Sequence, residues 1–359
     1  MSVASSVENA QWARFRALGD PLADAALIEI GPAPAADPTA LVRALQHRAT
    51  AGGPACRALL DAVNVVPAWV DFDGMVPALH RSEAHALLSG LSLLTGSLIE
   101  SFASPESALV LVGAGRLRAH PRLRLYETAR FVHDIVVSGG APPGTPTHRS
   151  VLGVRLMHAF VRARIRESGR WPATWECPIS QEATVGTLMT FSHVFARSMG
   201  NLGVVFTRAE RSAQQHMRRW IGHVLGIEPS ILPASVEAES TLYVALTERR
   251  NTPDSNSRAL AHGLLNAMAR QPPFHLPLSA LFALSRRNLG DALADAFEMP
   301  RSTAWEAAIS GLASATSGRA RVERVLPFTR PLARHLGRRL TRHVVARGLR
   351  TESSEMPIN

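Results

Sequence analysis

Apolar residues recur along this chain at three- and four-residue spacing, the period of a helix buried on one side. The pattern predicts helices over 9–18, 39–48 and 56–63, and longer ones over 80–102, 122–137, 150–168, 180–199 and 208–225. Asp37-Pro38 reads as an N-cap followed by proline at the first helical position, and Thr207 with Glu210 as a capping box. Alternation at period two is confined to 241–245, Thr-Leu-Tyr-Val-Ala, a brief strand candidate. Loops are marked by the Gly/Pro clusters at 139–146, 169–172 and 271–273, none long enough to serve as a flexible linker. No fixed-period repeat stands out. The expectation is an all-α protein, a single large helical domain. It divides into an N-terminal helical extension (1–75), a core (76–320) and a basic C-terminal helix and tail (321–359).

Composition narrows the classes. Hydrophobic residues make up 46% and charged residues 19% of 359 positions, enough apolar material for a sizeable core and too little charge density for disorder. Cys56 and Cys177 are the only cysteines and lie in no CxxC pair, which excludes a disulfide framework, cysteine-rich structural zinc and covalently attached c-type haem. The apolar run at 86–98 is short and broken by polar residues, so no transmembrane span is expected. No basic stretch followed by an apolar segment opens the chain, and the expected location is cytoplasmic.

The formal net charge is +10, and the sequence contains no lysine, so all 39 basic residues are arginines. Much of the excess sits at 319–350 rather than interleaved with aromatics, which amount to 6% of the chain. Little stacking surface is left for single strands, and nucleic acid is not an expected partner. Between 331 and 349, Leu332, Leu336, Leu340, Val344 and Val345 share one side with arginines on the others. That pattern suits either a final helix packed on the domain or a peripheral membrane contact with anionic lipid.

The segment 154–162, Val-Arg-Leu-Met-His-Ala-Phe-Val-Arg, carries the most chemical information. On a helix Arg155, His158 and Arg162 stand at i, i+3 and i+7, one face. Burying two guanidiniums requires anionic partners. A dianionic planar cofactor meets that need, with the imidazole on iron and the arginines on the propionates. A solvated helix face, or a core histidine packed against the next helix, explains the same spacing.

Arg124-Leu-Tyr-Glu-Thr128 with His158 thirty positions further on resembles the haem-site layout of the latex-clearing-protein (rubber oxygenase) family, whose catalytic domain is shared with MpaB-type oxygenases. Further similar stretches follow in order at 111–117, 155–162, 177–182 and 220–233. The resemblance implies a non-covalent haem b in a globin-like helical core, with His158 as the proximal metal ligand. It also implies that Arg124 and Thr128 lie beside the haem. Arg155 and Arg162 as propionate partners is an inference from the helix face alone.

The chain departs from the rubber-cleaving members at one position. They carry a lysine directly before the threonine, where this chain has Glu127. A carboxylate there acts as proton donor or acceptor during oxygen activation, or simply pairs with Arg124 or Arg130. Candidate catalytic residues are therefore Glu127, Arg124 and Thr128, and Met157, Phe160, Met189, Phe191 and Phe195 are candidates for an apolar pocket. The expected function is a haem-dependent oxygenase using dioxygen or peroxide to oxygenate or cleave an alkene of a small apolar isoprenoid or polyketide-like molecule. The alternatives are a haem monooxygenase or peroxygenase of secondary metabolism and a non-enzymatic helical binding protein. His133 and His193 either face the distal side or, the favoured reading, are structural, and the five-residue spacing of His80 and His85 makes no same-face metal pair.

Overall fold

Side-chain caps fix the start of several of the longer helices. The computed structural model describes residues 3–32, 37–113, 119–325 and 329–354, and every regular element among them is helical. Asp37 accepts from the backbone N–H groups of Thr39 and Ala40 ahead of the helix Pro38–Thr50. Asp20, Thr145, Ser180 and Asp254 do the same for their own helices. Thr207 and Glu210 form the reciprocal capping box expected of them. The strand candidate at 241–245 lies inside the helix Val236–Arg249. Ser235 caps that helix, and Leu242, Tyr243 and Leu246 pack one face of it onto the core. Burial at helical spacing overrides a short alternation of types.

Two apolar cores organise the molecule. One joins the helices Pro21–Ile30, Pro38–Thr50, Pro54–Asn64, Pro146–Glu167 and Arg208–Val224. Trp220 is fully buried in it and donates its indole N–H to the carbonyl of Ala141, a side chain whose truncation costs about 3–5 kcal/mol in such a setting. The other joins the 86–101 segment, Pro105–Gly113, Ser255–Met268, Leu278–Leu289 and Thr303–Val325. Within the stretch expected as an extension, the helices Pro21–Ile30, Pro38–Thr50 and Pro54–Asn64 contribute directly to the first core while Trp12 and Phe15 pack in a smaller cluster, and the helix Thr303–Val325 runs through position 320. The stretch 111–117 singled out in the sequence lies partly outside the described residues.

Two helices are wound more loosely over part of their length, with π-type turns at Leu93–Leu98 and Thr190–Val194 that pack against each other. Such turns shift the side chains that follow around the helix axis and are frequent at functional sites. Among the described residues no single helix is long and apolar enough to cross a membrane. The apolar run at 86–98 instead buries Leu91 and Leu94 in the second core.

The last helix, Thr329–Ser354, lies across Pro121–Val137 and Val76–Ala84. Gly337 and Gly348 permit the approach: a Cβ at 337 would stand 1.8 Å from the Glu83 carbonyl oxygen, and one at 348 would meet the Tyr126 ring. The helix is thus packed on the domain, while Leu332, Leu336 and Leu340 remain exposed on its outer side.

Candidate active site

Where the two cores meet, a cavity of about 1730 Å³ opens. Its apolar wall includes Leu98, Phe131, Met157, Phe160, Met189 and Phe191. Four of the five pocket candidates taken from the sequence are therefore on it, whereas Phe195 is buried in a separate cluster with Met199 and Val204. The volume exceeds the roughly 300–1,000 Å³ of an ordinary small-molecule pocket.

His158 sits midway along the 22-residue helix Pro146–Glu167, which Thr145 caps and Pro146 opens. At 100° per residue, Val154, Val161 and Ile165 stand about 40°, 60° and 20° to one side of His158, and Arg155 and Arg162 about 60° and 40° to the other. The first three residues line the cavity together with His158, and the two arginines do not. His158 therefore marks the seam between an apolar cavity row and a buried cationic row.

The arginines are held elsewhere. Arg155 donates from Nε and Nη2 to the two carboxylate oxygens of Asp20, at 2.6 and 2.9 Å, and from Nη1 to the carbonyl of Val224. Arg162 pairs with Asp24 and donates to the carbonyls of Pro178 and Ile179. Both are buried. This corrects the expectation that Arg155 and Arg162 clasp a cofactor's propionates: their anionic partners are aspartates of the protein itself. Two guanidiniums on one buried helix face need anions, but their spacing does not specify which anions supply them.

The imidazole of His158 makes no hydrogen bond among the described residues. Burial and the nearby Arg162 guanidinium push its pKa down to about 4, with Asp20 opposing. It is neutral near pH 7, with a lone pair available to a metal. No group of three or more His, Cys, Asp or Glu side chains able to hold a metal occurs among the described residues. A metal at His158 must bring most of its ligands with it, as an iron porphyrin does. The unpartnered neutral imidazole on a large apolar cavity fits that group.

Arg124, Glu127 and Thr128, expected together, are brought together. All three lie on the helix Pro121–Val137 and line the same cavity as His158. Arg124 forms an ion pair with Glu127 within that helix, the plainer of the two roles the sequence allowed for the glutamate. The Thr128 hydroxyl donates to the Arg124 carbonyl at 2.9 Å, leaving its oxygen free to accept. His133 is not on the cavity, and His193 instead stacks on Tyr243 with ring centroids 4.3 Å apart.

A polar corner of the cavity escapes sequence reasoning. Glu100, 1% exposed at its side chain, accepts from Tyr243 Oη at 2.6 Å, Arg197 Nη2 at 2.6 Å and Arg250 Nη1 at 3.3 Å. Burial and Glu100 push the Tyr243 phenol up to about 12. Glu100, Tyr243 and Arg250 line the cavity. The four come from three separated segments, so spacing carries no sign of them; the only local signal is a glutamate closing an apolar helix.

Comparison with known proteins identifies the family and the fold. The model of a family described as ER-bound oxygenase mpaB/B'/Rubber oxygenase, catalytic domain, matches residues 79–318. The rubber oxygenase of Streptomyces sp. (strain K30) is 25% identical over 292 residues, which cover 80% of this chain and 71% of that protein. A solved latex clearing protein in the closed state aligns with a TM-score of 0.69 at 22% identity, covering 90% of this chain and 91% of the other, a likeness of fold.

Proposed function

The chain belongs to the mpaB/rubber oxygenase catalytic-domain family and is an oxygenase of that kind, and from that premise we propose that it depends on haem b, bound through His158. The observation that carries the proposal is the neutral imidazole without a hydrogen-bond partner in the wall of a large, mostly apolar cavity. When bound, haem supplies the iron chemistry that activates dioxygen or peroxide.

The chain's own residues do the rest. His158 offers a neutral nitrogen to the iron. Arg124, one of several arginines on the cavity wall and the one that shares a helix with Glu127 and Thr128, would pair with an acidic group of the cofactor, exchanging Glu127 for it or bridging both. Glu127 then holds or accepts a proton at the wall. Thr128 presents an oxygen that accepts a hydrogen bond. Met157, Phe160, Met189 and Phe191 exclude water and hold an apolar, unsaturated substrate. We take that substrate to be a small isoprenoid or polyketide-like molecule, oxygenated at or cleaved across a double bond. The support is the apolar wall, and Glu127 in place of the lysine of the rubber-cleaving members. The exposed Leu332, Leu336 and Leu340 beside exposed arginines of the last helix support a peripheral membrane contact.

The absorption spectrum of the purified, haem-supplemented protein tests the reading. A Soret band that His158→Ala removes is the expected result. A wild-type protein without such a band is a non-enzymatic binder or uses another cofactor, and full retention by the variant means another ligand. Product analysis with oxygen or peroxide as oxidant then separates cleavage from monooxygenation.

A further inference from the structure

A histidine that ligates a metal is ordinarily oriented by a hydrogen bond from its second ring nitrogen. His158 has none among the described residues. Its place is set one step further out. One turn before and one turn after it on the same helix, Arg155 and Arg162 are each anchored by three hydrogen bonds. The carboxylates come from Asp20 and Asp24, at the start of the helix Pro21–Ile30. Asp20 is doubly engaged, since it also accepts from the Ala23 N–H as that helix's N-cap.

The surroundings leave this tie no slack. Gln181 donates to the carbonyls of Gly19 and Gly226 and accepts from the Glu228 N–H, binding three chain segments at one point. Gly226 has φ +82°, and a Cβ there would stand 2.4 Å from Asp20 Oδ2 and 2.5 Å from Arg155 Nε. A Cβ at Gly19 would stand 2.7 Å from Arg162 Nε. The arginines therefore fix the rotation of the helix about its axis, and with it the direction in which His158 meets the cavity.

We infer that Asp20 and Asp24 are positioning residues for His158, holding it through Arg155 and Arg162. Both aspartates lie outside the matched catalytic domain, 79–318, so the N-terminal segment completes the site. The inference rests on the reading of His158 as the iron ligand. A ring misplaced by about 1 Å is enough to degrade such a site.

The test compares Asp20→Asn and the milder Asp24→Asn with Glu83→Gln in the full-length protein. Glu83 is likewise buried and paired with an arginine, but that arginine, Arg338, lies on the helix Thr329–Ser354 and not on the helix that carries His158. The readouts are the rate of haem transfer to an excess of apomyoglobin and the line width of the ferric electron paramagnetic resonance spectrum. Haem loss at least tenfold faster and a broadened signal in Asp20→Asn, with the same trend in Asp24→Asn, support the inference, provided that Glu83→Gln lowers the melting temperature comparably and moves neither readout. Equal effects of Asp20→Asn and Glu83→Gln, or a wild-type rate in both aspartate variants, overturn it while leaving His158 as ligand. A wild-type protein that takes up no haem overturns the ligand reading itself and this inference with it.

Discussion

Glu83 receives both Nε and Nη2 of Arg338, at 2.8 and 3.0 Å, across 255 positions of sequence. The carboxylate is 2% exposed at its side chain, while the arginine reaches in from a half-exposed position on the last helix. Arg334 stands 3.8 Å from the same carboxylate. A buried anion on the core is thus neutralised by a helix that the chain adds last.

Arg338→Ala should cost about 1–3 kcal/mol, because it leaves a buried carboxylate with only the longer Arg334 contact. Gly337→Ala should cost a similar amount, since its Cβ would overlap the Glu83 carbonyl oxygen. Urea midpoints measure both. Arg339, exposed on the outer side of the same helix, should tolerate alanine within about 0.5 kcal/mol.

The protein before haem is added should lose stability as the pH falls. His158 has its pKa lowered to about 4 from 6.5, so the unfolded chain binds the proton more tightly than the folded one. Its contribution is fully present above about pH 6.5 and is lost as the pH falls to about 4, a change on the order of 3 kcal/mol. Other histidines, among them the buried His148 and the partly buried His223, are shifted the same way by burial. The difference between wild type and His158→Gln across that window isolates the His158 share. Parallel curves would contradict it.

Arg124→Ala should weaken haem binding by about 1–3 kcal/mol, the value of a hydrogen bond to a charged group. Thr128→Val should weaken it less, because the Thr128 hydroxyl already spends its proton on the Arg124 carbonyl. Titration of the Soret band orders the two variants, and the reverse order would remove Arg124 from the cofactor's reach.

Tyr243→Phe should destabilise the fold by about 1–3 kcal/mol through Glu100, which loses one donor while remaining buried. Glu100→Gln should cost more, since Arg197 and Arg250 then share an uncharged partner. Thermal melts compare them directly.

Replacing Leu332, Leu336 and Leu340 together by serine should reduce sedimentation with anionic vesicles and leave the melting temperature nearly unchanged, because these side chains are exposed. Unchanged sedimentation would assign the last helix to packing alone.

The repeat of apolar positions and the cap residues were sufficient, on their own, to establish an all-helical protein, since both act within a few residues of one another. Arg124, Glu127, Thr128 and His158 were legible as a group through their spacing and family resemblance, and all four line one cavity. Where a side chain finds its partner across a long loop, local pattern is silent. The two arginines flanking His158 pointed to buried anions, yet only folding could deliver Asp20 and Asp24 from more than 130 positions away. Glu100, Tyr243, Arg197 and Arg250 form their cluster for the same reason, and the alternation at 241–245 lost to a helix whose buried face is set by its neighbours. Short-range sterics and hydrogen bonds are written in adjacent residues; the pairing of charges in a core is decided by which helices the hydrophobic effect brings side by side.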